Sequence, residues 1–348
     1  MKSSYLKEDL KRLAKYLYEN NFSGNTFLIT GATGLIGSLC IKAIIEHNNN
    51  YQLPIKVIAF ARNEQKVYTV FEDEFKGKTY IDNIEFIYQD ITDSIPDDIS
   101  SDYIIHTANS TSSQYFIKKP VEVIESIYTG TKKILDYGVK NKIKGMVYLS
   151  SMEVFGEIRT TQRITEKNLG YLDIQNIRSC YSEGKRLAEL LCMSYAVEYN
   201  LSVKIARLAQ TFGAGISKNE NRVFAQFARS AIKGQNILLH TKGESIGNYC
   251  YTADAIQAIF LLLMKGKNGE PYTVVNEETT RSIAEMAKMV AENFSKGRSQ
   301  LIFDIPNENI FGYAPVTKMR LSSRKLNDLG WEPRITLEEM YKRMIPDL

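Results

Sequence analysis

Two rhythms of apolar and polar positions run through the first two-thirds of the chain. Short apolar runs recur at Thr26–Thr30 (TFLIT), Lys56–Ala61 (KVIAFA), Ile84–Tyr88 (IEFIY), Tyr103–His106 (YIIH), 146–149 (MVYL) and 203–206 (VKIA). They are short enough to be strands and too continuous to be half-exposed ones. Between them, 35–46, 121–140 and 181–199 carry apolar residues at helical spacing. Strands alternating with helices predict a doubly wound α/β fold, with a parallel sheet covered on both faces. Ligands of such sheets sit beyond the carboxyl ends of the strands. The chemistry is therefore expected where strands end.

The flanks follow different rhythms. Leu6, Leu10, Leu13 and Leu17 recur at helical spacing, so residues 1–23 read as an amphipathic helix docked on the body. Acidic residues share its polar face, which argues against a membrane-surface role. From about residue 211 the alternation loosens. The expected organisation is a dinucleotide-binding domain over 24–210 and a smaller α/β substrate lobe over 211–348. Segments near 245–265 are expected to return to the first domain.

Composition narrows the function classes. The chain has 348 residues, 44% hydrophobic and 24% charged, with a net charge of +4. No Lys/Arg block or aromatic ladder suggests a nucleic-acid groove. No apolar run approaches the roughly 18 residues of a membrane span, and the N-terminus lacks a signal-peptide core. Cys40, Cys180, Cys192 and Cys250, like His47, His106 and His240, show no metal-ligand spacing. A reducing, cytoplasmic setting without a structural metal is the expectation.

The first strand runs into Gly31-Ala32-Thr33-Gly34-Leu35-Ile36-Gly37. Glycines at these spacings allow a tight turn and close approach of a pyrophosphate to the free N–H groups of the following helix. Thr107 and Ala108 follow the fourth strand and are expected to line the same site. Asp90 and Ile91 follow the third strand, where a carboxylate can accept from an adenine amino group. The second strand ends in Ala61-Arg62-Asn63 rather than in the acid that usually holds the ribose of NAD. Arg62 can pair with a 2′-phosphate, gaining on the order of 4 kcal/mol per unit charge before desolvation. This favours NADP(H), with NAD(H) as the alternative.

Tyr181 and Lys185 lie one helical turn apart on one face. Ionising a tyrosine at neutral pH costs about 4 kcal/mol, and an adjacent ammonium lowers that cost. Tyr181 can then move a proton on or off a hydroxyl while hydride travels. Ser151 directly follows the fifth strand and can orient the reacting oxygen.

These motifs, in this order, resemble the extended short-chain dehydrogenase/reductases, and within them the NAD-dependent epimerase/dehydratase family acting on nucleotide sugars. Ser150-Ser151-Met152-Glu153-Val154-Phe155-Gly156, the Arg207–Gly213 segment and Leu329-Gly330-Trp331-Glu332-Pro333 resemble further family motifs. The resemblance implies Ser151, Tyr181, Lys185 and Glu153 as catalytic residues, with Lys185 also contacting the cofactor. It implies substrate contacts from Ser110, Met152, Gln210, Arg222, Val223 and Tyr249, and a homodimer paired through the helices at 121–140 and 181–199. The chain departs from the family pattern in three places. Met152 replaces the dehydratase Asp, Ile127 stands where an Asn is common, and Gly247 stands where an Arg often grips diphosphate. That task would pass to Arg222 or Lys218.

The expected activity is NADPH-dependent reduction of a keto group on a nucleotide-activated sugar. The alternative is a redox-neutral epimerase or UDP-glucuronate decarboxylase with tightly bound NAD, for which Glu153 is the best support. A non-catalytic dinucleotide-binding protein is a third possibility, at odds with the intact Ser-Tyr-Lys set.

Overall fold

The computed structural model describes residues 3–77, 81–109, 111–306 and 316–348. The strands are β1 Thr26–Thr30, β2 Lys56–Ala61, β3 Ile84–Tyr88, β4 Tyr103–His106, β5 Gly145–Ser151, β6 Val203–Leu208, β7 Gln210–Phe212, β8 Ile237–Leu239, β9 Ile246–Tyr251, β10 Pro271–Val274, β11 Asn276–Ser282 and β12 Leu301–Phe303. The helices are α1 Ser4–Glu19, α2 Leu35–Asn50, α3 Glu64–Val70, α4 Glu72–Gly77, α5 Ser113–Lys118, α6 Pro120–Lys140, α7 Ser179–Glu198, α8 Val223–Lys233, α9 Thr252–Lys265, α10 Ile283–Phe294, α11 Arg324–Asn327 and α12 Leu337–Met344.

Seven parallel strands form the central sheet in the order β10-β6-β5-β4-β1-β2-β3. The order reverses between β1 and β4, and that reversal opens a cleft above their carboxyl ends. The continuous apolar runs are explained by burial on both faces. Leu28, Ile104, Met146 and Ile205 face one apolar cluster, with α6 and α7 over them. Phe27, Ile29, Ile105, Val147 and Ala206 face the other, with α1, α2 and α9.

The predicted strands and helices are all present, with ends displaced by a few residues. β5 and β6 each run two residues further, through Ser151 and Leu208. α6 begins at Pro120, whose ring suits a first helical position. Three additions come from the last third of the chain. β10 extends the central sheet beside β6, β11-β9-β7 makes a small mixed sheet, and β12 pairs with β8.

The helix predicted at the N-terminus is α1. The Ser3 hydroxyl caps it by accepting from the Leu6 N–H at 3.2 Å. Leu6, Leu10, Leu13 and Leu17 are all buried. Arg12 donates to Asp254 at 2.9 Å, tying α1 to the first turn of α9. Asp254 also accepts from the backbone N–H groups of Arg334 and Ile335, and its carbonyl accepts from the Trp331 indole at 3.0 Å. The C-terminal Leu-Gly-Trp-Glu-Pro segment is thus fastened to the same turn as the N-terminal helix.

Candidate active site

The phosphate-binding turn is built by mutual exclusion of side chains. Gly31 has φ +67°, and a Cβ there would meet the Thr107 hydroxyl at 2.5 Å. A Cβ on Gly37 would meet the Gly31 carbonyl at 2.4 Å. Gly34 differs, because its Cβ would touch only the Gly31 carbonyl, at 3.2 Å, and otherwise project into the cleft. Gly34 is the N-cap of α2 and has no side chain to occupy the helix's free N–H groups. Leu35 and Ile36 offer those N–H groups while their side chains pack on the core. The turn is an open anion cradle.

A second turn is pinned to the first. The Thr30 hydroxyl accepts from the N–H groups of Thr107 and Ala108, both at 3.1 Å, and lies 2.7 Å from His106 Nδ1. With both lone pairs engaged, the Thr30 O–H donates to His106 Nδ1, and His106 Nε2–H then points to the Thr131 hydroxyl at 3.1 Å. Burial, and then the Lys185 charge, push the His106 pKa down to about 3, so the ring is a neutral strut.

The two turns wall a cleft of about 360 Å³, lined also by Arg62, Asp90, Ile91, Tyr115 and Ile127. Arg62 and Asp90, expected to be free for a 2′-phosphate and an adenine, face each other at 3.5 Å. Asp90 Oδ1 also accepts from the Thr92 N–H and hydroxyl. Burial raises the Asp90 pKa, but the Thr92 donors and Arg62 outweigh it and hold the carboxyl below its ordinary value. Both side chains of the expected adenosine site are therefore already engaged with the protein. Asn109, absent from the sequence-based set, is different. Its amide nitrogen and oxygen are both buried at the cleft wall without a hydrogen-bond partner. A buried amide without a partner is costly, and a polar ligand in the cleft would satisfy it. Gly34 and Asn109 together fit a dinucleotide cofactor.

Ser151, Tyr181 and Lys185 converge where β5 meets α7. The Ser151 hydroxyl lies close enough to the Tyr181 phenol to lower its pKa and accepts from the Glu153 N–H at 3.2 Å. Tyr181 is 6% exposed and stacks on Phe116 with ring centroids 4.4 Å apart. Burial, and then the Glu153 charge, raise its pKa above the ordinary value of 10; Ser151, Arg178 and Arg222 pull it back. Lys185 Nζ donates to the Leu149 carbonyl at 2.6 Å and lies 5.8 Å from the Tyr181 ring centroid. Burial pushes the Lys185 pKa down to about 7, against the opposing charge of Glu189. The site thus brings together a buried phenol, a hydroxyl beside it and a buried lysine amine one helical turn away.

Glu153 joins this group, held by a residue the sequence pattern did not mark. Arg178 grips both of its oxygens, at 2.9 and 3.1 Å, and the Ser182 hydroxyl donates to it at 3.1 Å. Ile127 fills the space opposite Gly184, where a Cβ would meet it at 3.1 Å.

The expected substrate residues divide. Met152 borders the small cluster around Phe155 and Leu321. Gln210 lies in β7 with its side-chain oxygen buried and unpaired. Arg222 caps α8 and is held by Glu220 at 2.7 Å, close enough for its charge to reach Tyr181. Val223 begins α8 and packs on the core. Tyr249 is a correction, because it is 1% exposed and meets Phe212 edge-on, which makes it part of the core. Lys218 is exposed. Ser110 lies outside the described residues. Among the described residues no group of three or more His, Cys, Asp or Glu is arranged to hold a metal.

A family model, that of the NAD-dependent epimerase/dehydratase family, matches residues 27–276. The chain belongs to this family. It is accordingly an NAD-dependent enzyme, and the cradle at Gly31–Gly37 and the Ser151-Tyr181-Lys185 group lie within the matched region. Among similar sequences, UDP-glucuronic acid decarboxylase 6 of Arabidopsis thaliana is 26% identical over 327 residues, covering 93% of this chain and 89% of its own. UDP-glucuronic acid decarboxylase 1 of Xenopus tropicalis is 26% identical, covering 91% and 70%. Among solved structures, UDP-glucose 4-epimerase of Thermotoga maritima superposes with a TM-score of 0.75 at 22% identity, over 92% of this chain and 98% of its own. The dTDP-glucose 4,6-dehydratase of Bacillus anthracis, solved with NAD, gives 0.72 at 19% identity, over 93% and 96%. These two share the fold of this family member.

Proposed function

We propose that the protein is a redox-neutral nucleotide-sugar enzyme that oxidises, decarboxylates and re-reduces a nucleotide-linked hexuronate. The observation that carries this reading is the likeness to UDP-glucuronic acid decarboxylases over nearly the full length of both chains. The arginine–carboxylate pair beside Tyr181 supports it. The expected NADPH-dependent ketosugar reductase has weaker support. The relatives do not favour it, and Arg62, on which NADP(H) rested, is paired with Asp90. We infer NAD as the cofactor.

Bound NAD would supply a hydride acceptor and return the same hydride. The Gly31–Gly37 cradle would hold its pyrophosphate, Asn109 a polar group within the cleft, and Lys185 the ribose beside Tyr181. The Tyr181 phenolate takes the proton of the sugar hydroxyl being oxidised, and the Ser151 hydroxyl fixes that oxygen. The ketone formed is β to the uronate carboxylate. The bond to the carboxylate carbon breaks, CO2 leaves, and the electron pair moves into the ketone oxygen as an enolate. A solvent proton returns at the carbon that lost CO2. Tyr181 finally gives its proton back to the reduced oxygen. The Lys185 ammonium favours the phenolate form that the first step needs.

Gln210, Arg222, whose charge reaches Tyr181, and the exposed Lys218 are assigned to the nucleotide diphosphate. A second copy of the chain is assigned to the outer faces of α6 and α7. There Val121, Ile124 and Tyr128, and Leu187, Leu190 and Val197, are exposed at helical spacing.

The test is direct. Heat-released cofactor from the purified protein is expected to be NAD, and UDP-glucuronate is expected to yield a UDP-pentose by mass spectrometry. Intact UDP-glucuronate together with NADPH-driven reduction of a 4-ketosugar would restore the reductase. Tyr181→Phe is expected to lower turnover by about 10²–10⁴-fold with bound NAD unchanged.

A further inference from the structure

Arg178 stands at an unfavourable place for a cation. It is the N-cap of α7, where the free N–H groups already make the positive end of the helix dipole, and its side chain makes no cap. Such a placement is tolerated where an anion answers it. Here Glu153 does, through both oxygens. The Arg178 guanidinium lies 5.7 Å from the Phe116 ring, which stacks on Tyr181. The pair therefore stands next to the reacting phenol, with Arg178 40% and Glu153 28% exposed.

Two arginine charges reach the Tyr181 phenol, those of Arg178 and Arg222. Their carboxylate partners are held differently. Glu220 receives Arg222 twice by side chain and also the N–H groups of Asn221 and Arg222, so it is locked by its own turn. Among the described residues, the Glu153 carboxylate receives only Arg178 and the Ser182 hydroxyl. A partly exposed ion pair is weakly held against water and salt, so Glu153 can be exchanged for another carboxylate.

We propose that Arg178 reads a carboxylate on the sugar: in the free protein Glu153 occupies its guanidinium fork, and a substrate carboxylate takes that place. The fork offers two parallel N–H groups that match a carboxylate. A hydroxymethyl group in the same position cannot replace Glu153, because it leaves the guanidinium with half its bonds and no counter-charge. The exchange therefore sets the choice between a uronate and a neutral hexose. This inference rests on the decarboxylase reading and adds a competition: Glu153 and the substrate carboxylate contend for one cation.

The test is calorimetric titration of the NAD-loaded protein with UDP-glucuronate and with UDP-glucose. Arg178→Met is expected to weaken UDP-glucuronate about tenfold or more while leaving UDP-glucose within about twofold, and Arg178→Lys to recover part of the loss. Glu153→Gln removes the competitor and is expected to bind UDP-glucuronate as tightly as the parent or tighter. Equal weakening of both ligands by Arg178→Met, or weaker UDP-glucuronate binding by Glu153→Gln, overturns the proposal. Loss of discrimination in Arg178→Met together with no CO2 release by the parent would sustain carboxylate recognition and remove the decarboxylase reading. CO2 release with discrimination intact in Arg178→Met would do the reverse.

Discussion

Lys185 is 2% exposed, and its ammonium has the Leu149 carbonyl as its close partner. Burial brings its folded pKa from 10.5 to about 7. Between those values the unfolded chain binds a proton that the folded chain does not, so this group makes stability rise with pH from about 7 to 10.5 and lowers it most below 7. Lys185→Met is expected to melt higher than the parent near pH 6 and to show a flatter rise of melting temperature between pH 7 and 10, with turnover lost. A variant that melts lower near pH 6 would show that the ammonium is stabilised by more than one carbonyl. Ser151, Tyr181 and Lys185 were legible in the sequence because their relation is local: one follows a strand, and the others are one helical turn apart. Arg178 was not, because Glu153 lies 25 residues away and only the β5–α7 approach joins them. Arg62 was misread as free for the same reason, since the β2–β3 pairing brings Asp90 to it.

At the scale of elements, the glycines of the β1–α2 turn carry two different duties. Gly37 is required by the fold, because its Cβ would strike the Gly31 carbonyl, whereas a Cβ on Gly34 would touch only that carbonyl and otherwise project into the cradle. Gly34→Ala is expected to keep the parent's melting temperature without cofactor and to lose at least about tenfold in NAD affinity, read by calorimetry. Gly37→Ala is expected to lose both. Equal behaviour of the two variants would deny Gly34 its role. Leu13 of α1 is 1% exposed, and Leu13→Ala is expected to cost about 2–5 kcal/mol in urea unfolding. The strands of the first half were readable because burial on both faces leaves continuous apolar runs. β10 was not, because Pro-Tyr-Thr-Val is short and begins with proline. It is a strand because it borders β6 at the sheet edge, where the missing N–H of a first-position proline is tolerated.

Over the whole molecule, α6 and α7 turn one apolar face to the sheet and another outward. Val123, Ile127, Ile134 and Tyr181 are buried, while Leu190 and Val197 are 59% and 88% exposed. Isolated exposed apolar residues are common, but a stripe across two adjacent helices marks an interaction surface. Leu190→Glu is expected to convert a dimer to a monomer in sedimentation equilibrium; an unchanged dimer would move the interface elsewhere. No helix among the described residues is long and apolar enough to cross a membrane. The central claim is that one hydride leaves the sugar and returns to it while a carboxylate is lost at the Tyr181 site. UDP-glucuronate carrying deuterium at sugar C4 tests this most directly. The account predicts a UDP-pentose that has lost one CO2 and retains the deuterium at C4. A product that keeps its carboxylate, or one whose deuterium has passed to free cofactor, would contradict it.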